Sequence, residues 1–84
     1  MKLPVIKQVQ RSCTVAEIEA AIRVLENTSE APSLKPEEVD VIGELISNFC
    51  GALGVHQLVL DGMPEKEAGN AFMKKVLGSI DQNR

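Results

Sequence analysis

Eighty-four residues make one domain and leave no room for a second. The chain is 44% hydrophobic and 25% charged, the mixture of a soluble globular protein, yet it holds no Trp, no Tyr and only two Phe, so its core must be aliphatic. A net charge of -3 argues against a phosphate-binding face, and the lack of aromatic rings removes the platform on which single strands stack, so nucleic acid is not expected as a partner.

At the N-terminus the apolar run Leu3-Pro4-Val5-Ile6 is cut short by Lys7, too brief for a signal-peptide core, and no segment reaches the length of a membrane span. Two cysteines, Cys13 and Cys50, without an export signal point to free thiols in a reducing compartment, and the chain is read as cytoplasmic. In "KLPVIKQVQRS" Pro4 suits a first helical position and Ile6, Val9 and Cys13 fall at helical spacing. Leu3, Val5 and Val9 also fit one face of a strand, so the segment is assigned as helix with an extended alternative.

Thr14 with Glu17 three residues on is a capping box, and the helix it opens runs to about Leu25, burying Ile18, Ala21, Ile22 and Leu25. "ENTSEAPS" reads as a loop, because its side chains compete for the backbone. Pro36, Glu37 and Glu38 open a third helix, which nothing stops until Asp61-Gly62, a span of about 25 residues or roughly 38 Å. Pro64 restarts the chain as a fourth helix with Ala68, Phe72, Met73, Val76 and Ile80 on its buried side, and the last four residues are read as frayed. The fold class is all-α: a single domain over residues 1–84, a small bundle of three to four helices around one long central helix.

Along that helix Val39, Ile42, Ile46, Phe49, Leu53, His56 and Leu60 form one stripe, the expected core seam, while Asp40, Glu44 and Asn48 line the opposite, solvated side. From Phe49 to Leu60 the helix is apolar nearly all round, and a helix of that kind must be enclosed. A second subunit would enclose it economically. The ridge of Gly43, Ser47, Cys50, Gly51 and Gly54, with Val55 and Leu58 beside it, would let another backbone approach closely, either from a second copy or from helix two or four of the same chain.

Within "CGALGVHQLVLDGMPEKEA", Cys50, His56, Gly62 and the acidic restart resemble the alkylhydroperoxidase D family, small helical thiol proteins with a Cys-x-x-Cys pair and a nearby histidine. Leu53 stands where that family has its second cysteine and Gln57 where it has its histidine, so the resemblance implies a related helical hairpin more than a related reaction. More broadly, "MKLPVIK", "DVIGELISN" and "AFMKKVLGSID" resemble a family of short bacterial helical proteins of unknown function, a likeness that covers nearly the whole chain. It implies a compact helical protein with no catalytic residues to transfer. Members of that family tend to be encoded beside peroxiredoxin and thioredoxin-like proteins, which implies a redox protein as a partner.

Two functions follow as expectations. The first is a non-enzymatic helical protein acting through homo-oligomerisation and protein–protein interaction, with no cofactor and no metal. The second is a thiol-dependent redox protein or peroxide-defence accessory in which Cys50 reacts, helped by His56 or Glu44 of a neighbouring helix. Six residues at about 100° each place Cys50 and His56 roughly 120° apart, so His56 cannot serve the thiol of its own helix. Cys50 then reads as a small buried hydrophobe and His56 as a core residue whose ring finds a carbonyl or carboxylate. Asp40 and Glu44 are one turn apart, but a single histidine and no Glu-x-x-His pair leave them a solvated face rather than a metal site.

Overall fold

Most of the helix starts in this chain have a local cause. In the computed structural model, which describes residues 2–82, the elements run α1 (Leu3–Ser12), α2 (Val15–Ser29), α3 (Pro36–Leu60) and α4 (Glu65–Gln82), with no strand among the described residues. The first segment is therefore helix, with Pro4 in its opening turn, where a missing N–H costs nothing. Thr14 opens α2 through the full capping box: its N–H donates to the Glu17 carboxylate at 2.8 Å and its hydroxyl accepts from the Glu17 N–H at 3.1 Å. Those bonds hold the Glu17 carboxyl below its ordinary range.

Helix α2 continues to Ser29, past the end at Leu25 that the polar run suggests. The hydroxyls that were expected to break it turn back onto their own helix, Thr28 Oγ1 donating to the Val24 carbonyl at 2.6 Å and Ser29 Oγ to the Glu26 carbonyl at 2.7 Å. The connection to α3 contains Ser33 at φ 77, a left-handed conformation that costs a non-glycine residue about 1–2 kcal/mol. Glu38 accepts from the Lys35 N–H at 2.9 Å; the Lys35 ammonium has donors only and returns nothing, so this cap is one-sided.

The 25 residues of α3 end as the sequence leads one to expect. Gly62 at φ 103 donates to the Val59 carbonyl at 3.0 Å and Met63 to the Leu58 carbonyl at 3.1 Å, the paired bonds of a Schellman stop. Helix α4 includes Asp81 and Gln82, which the sequence reading leaves frayed; Asn83 and Arg84 lie outside the described residues.

Helix α3 packs against each of the other three helices, and α1 also lies against α4. Five apolar side chains are fully buried among the described residues: Ile6, Ile18, Ala52, Val55 and Ala68. Around them pack partly buried residues including Ile22, Phe49, Leu53 and Phe72. Ala21 and Leu25 of α2 are half-buried, as are Met73 and Val76 of α4, while the side chain of Ile80 lies outside those described.

The core seam of α3 differs from the expected stripe. Val39 and Leu60 are exposed, the latter at 72%, and the buried residues are Asn48, Gly51, Ala52 and Val55. Helix α2 does lie along Ile42 and Leu53, but α1 reaches α3 at Asn48 and α4 reaches it at Gly54, well round the helix, and burial is deepest where their footprints meet. The three shorter helices thereby enclose most of the apolar half of α3: Gly51, Ala52 and Val55 are buried, and Phe49, Leu53, Gly54, Leu58 and Val59 half-buried. Of the two enclosures expected, the chain's own helices supply most, and Cys50 and Leu60 are left open.

Gly54 shows why glycine stands in that ridge. A Cβ there would come within 2.5 Å of the Phe72 ring, whereas one at Gly43 meets nothing within 4 Å. Replacing Gly54 with Leu should therefore cost about 1–3 kcal/mol of overpacking, a fall of roughly 5–20 °C in a thermal midpoint followed by circular dichroism. Gly43→Ala, in open space, should gain up to about 1 kcal/mol of helix propensity instead. Equal effects at the two positions would contradict this packing.

Candidate functional site

Along α3, Glu44, Cys50 and His56 are spaced by six residues each, so the helix turns them to three directions about 120° apart. Each is occupied or accessible in a different way. The Glu44 carboxylate lies 3.7 Å from the Lys2 ammonium, a largely exposed pair worth little on its own. His56 is half-buried, and its Nε2 lies 3.0 Å from the Cys13 carbonyl. A carbonyl only accepts, so Nε2 carries hydrogen and is the donor; the cysteine that the histidine meets is Cys13, through its backbone. Cys13 is the residue on which α1 ends.

Asn48 was placed on the solvated face and is instead 3% exposed. Its Oδ1 accepts from the Lys2 N–H at 2.7 Å, at the N-terminus of α1, where Lys2 itself offers no capping side chain. Asn48 and His56 thus bind the two ends of α1 to α3. Periodicity could not reveal this role, because a polar residue opposite an apolar stripe carries no sign of the helix that will cover it. Gln10, on α1, is buried with Oε1 unpartnered.

Cys50 corrects the reading of it as a core residue: the thiol is exposed. It lines a groove of about 650 Å³ between α2 and α3 together with Ile22, Val24 and Leu53 and the charged Glu19, Arg23 and Glu26. The ridge to which it belongs divides in two. Gly51 and Val55 are buried inside the chain, Gly54 faces Phe72 and Leu58 is half-buried, so these serve the fold; Gly43, Ser47 and Cys50 remain exposed.

The charge is unevenly spread. Between residues 15 and 47 there are eight acidic and two basic side chains, a local net of -6, while residues 1–14 hold Lys2, Lys7 and Arg11 and no acid. Among the described residues no three His, Cys, Asp or Glu side chains gather as a metal site, and no helix is long and apolar enough to cross a membrane. Asp40 is exposed, as is Glu44.

A family of unknown function (DUF6952) has a model that matches residues 1–81, and the chain belongs to that family. No curated protein and no solved structure matches it.

The two polar ties can be cut separately. Asn48→Leu strands the Lys2 N–H and His56→Leu strands the Cys13 carbonyl, and each should cost about 1–2 kcal/mol. Urea unfolding should show a lowered midpoint with an unchanged slope. A neutral result at either position would mean that water replaces the tie.

Proposed function

We propose that this family member is a non-enzymatic helical protein that acts through self-association and protein–protein contact, and that two copies meet across the groove between α2 and α3. The observation that carries this reading is surface that the fold leaves open. The chain exposes 5864 Å², roughly 1,000 Å² more than the ~4,900 Å² usual for a monomer of 9.1 kDa. Its radius of gyration is 14.0 Å, against ~12 Å for a compact chain of this length, and it is only 17 Å through its thinnest direction. The excess is close to the ~800 Å² that each partner contributes to a standard interface.

The groove suits a second copy of the same chain. Gly43, Ser47 and Cys50 form a small-residue strip with open space above Gly43, and Val24 stands 62% exposed beside it. On α2 the order Glu19, Arg23, Glu26 gives the rim both signs of charge, so a two-fold pairing can set Arg23 of each copy against a carboxylate of the other. Small residues let the helices approach, and the exposed Val24 with the half-buried Leu53 supplies apolar area.

A second reading rests on the exposed thiol. Cys50 is accessible to an oxidant or to a thioredoxin-like partner, as the redox alternative requires, but within its own chain His56 donates Nε2–H to Cys13 and Glu44 faces Lys2. Neither of these two serves Cys50, and the carboxylates of its own chain that line the same groove are Glu19 and Glu26. Replacing Cys50 with Ala leaves cellular function intact under the first reading and abolishes it under the second.

Sedimentation equilibrium tests the pairing. The parent chain should be dimeric at micromolar concentration, and Gly43→Arg, which fills the strip without touching the core, should be monomeric with an unchanged helical spectrum. A monomeric parent at high micromolar concentration refutes the proposal, and a Gly43→Arg dimer moves the interface elsewhere.

A further inference from the structure

On the far edge of the same hairpin lies a second apolar surface. The last turn of α2, the connection after it and the first turns of α3 enclose a groove of about 490 Å³ lined by Thr28, Leu34, Val41 and Ile42, with Glu37 and Glu38 on its rim. Val41 also lines the next depression along α3, where it meets Leu45, Val5 and Glu44. The two form one strip, in which Val41 is 56% and Leu45 36% exposed, and it follows α3 for roughly ten residues, about 15 Å.

We infer that this strip receives a cationic amphipathic helix of about three turns from a partner protein. Charge complementarity is the first ground: Glu37 and Glu38 rim the first groove, in a hairpin whose local net charge is -6, whereas Glu44 at the second is already paired with Lys2, which lines it too. Continuity is the second. Immediately beyond the strip α3 already holds such a helix, because α1 carries Lys2, Lys7 and Arg11 and no acid, buries Ile6, and begins where Lys2 reaches Glu44. A partner helix of the same chemistry would extend along α3 the mode of packing that α1 uses, with apolar residues at i, i+3 and i+4 on Val41 and Leu45 and lysines or arginines over the carboxylates. The inference rests on the interaction reading above but not on self-association, since the strip lies on the opposite edge of α2 from the Cys50 groove.

The probe is a fluorescein-labelled helical peptide of about 16 residues built from Leu and Lys with one apolar face. Its anisotropy is read against the full chain, beside a scrambled peptide of the same composition. The amphipathic peptide should bind about tenfold more tightly than the scrambled one, and Val41→Asn should remove most of that difference. Glu37→Gln with Glu38→Gln should weaken binding several-fold and flatten its salt dependence, as expected for solvent-exposed rim charges. Glu19→Gln with Glu26→Gln, the same loss of charge on the other edge, should leave it unchanged. Gly43→Arg should bind as the parent does, which separates this surface from the dimer. Equal binding of the scrambled peptide, or equal effects of the two charge pairs, would reduce the contact to bulk electrostatics and overturn the inference. Displacement of a second copy by the peptide would overturn it too, by assigning the strip to self-association.

Discussion

The structure depends on α3 remaining one unbroken helix, because it is the element that all three shorter helices share. Helices α1, α2 and α4 of 10, 15 and 18 residues are marginal by themselves in water, and their stability comes from the faces they bury. Here each of them buries its face chiefly on α3. The starting cap, with Pro36 and the Glu38 carboxylate, and the Schellman stop at Gly62 fix the length over which that can happen. Glycine within such a helix is unfavourable in isolation, and Gly54 is tolerated because Phe72 of α4 closes onto the bare backbone.

Helix α1 is tied to this axis at both ends by polar side chains of α3. Between Lys2 and Cys13 the chain advances eleven residues, while Asn48 and His56 are eight apart, so the two helices run in the same direction and cross at an angle. Hydrogen bonds set that register more sharply than apolar contact does, since burial is indifferent to small slides and a donor–acceptor pair is not. On its other side α1 lies over Gly69 of α4 through the stem of Lys7, and Arg11 pairs with Glu65. His56, the residue that first suggests chemistry, is thus engaged in holding the start of α2 in place.

Much of this was legible in the sequence, for reasons that are local. Thr14 with Glu17, Pro36 with its acidic first turn, and Asp61-Gly62 each carry their physics within four residues, and the boundaries they imply agree with the structure. The end of α2 was less legible, because Thr28 and Ser29 can either break a helix or bond back to it, and the choice depends on the whole segment. The burial pattern of α3 was the least legible. A single apolar stripe describes a helix facing one neighbour, and α3 faces three, so Asn48 was assigned to the solvated side and Leu60 to the core. The exposure of Cys50 has the same origin: its side of α3 lies past the edge of α2, and among the described residues no other helix covers it.

That uncovered side is where the account can be tested most directly, because it carries its own chemical reporter. The rate at which Cys50 is alkylated in the native parent chain, read by peptide mass spectrometry to separate it from Cys13, should fall as protein concentration rises through the association range. The thiol that is open in the single chain would then be covered by the second copy. A rate that is the same at all concentrations, with Cys50 as reactive in concentrated protein as in dilute, would contradict self-association through the α2–α3 groove.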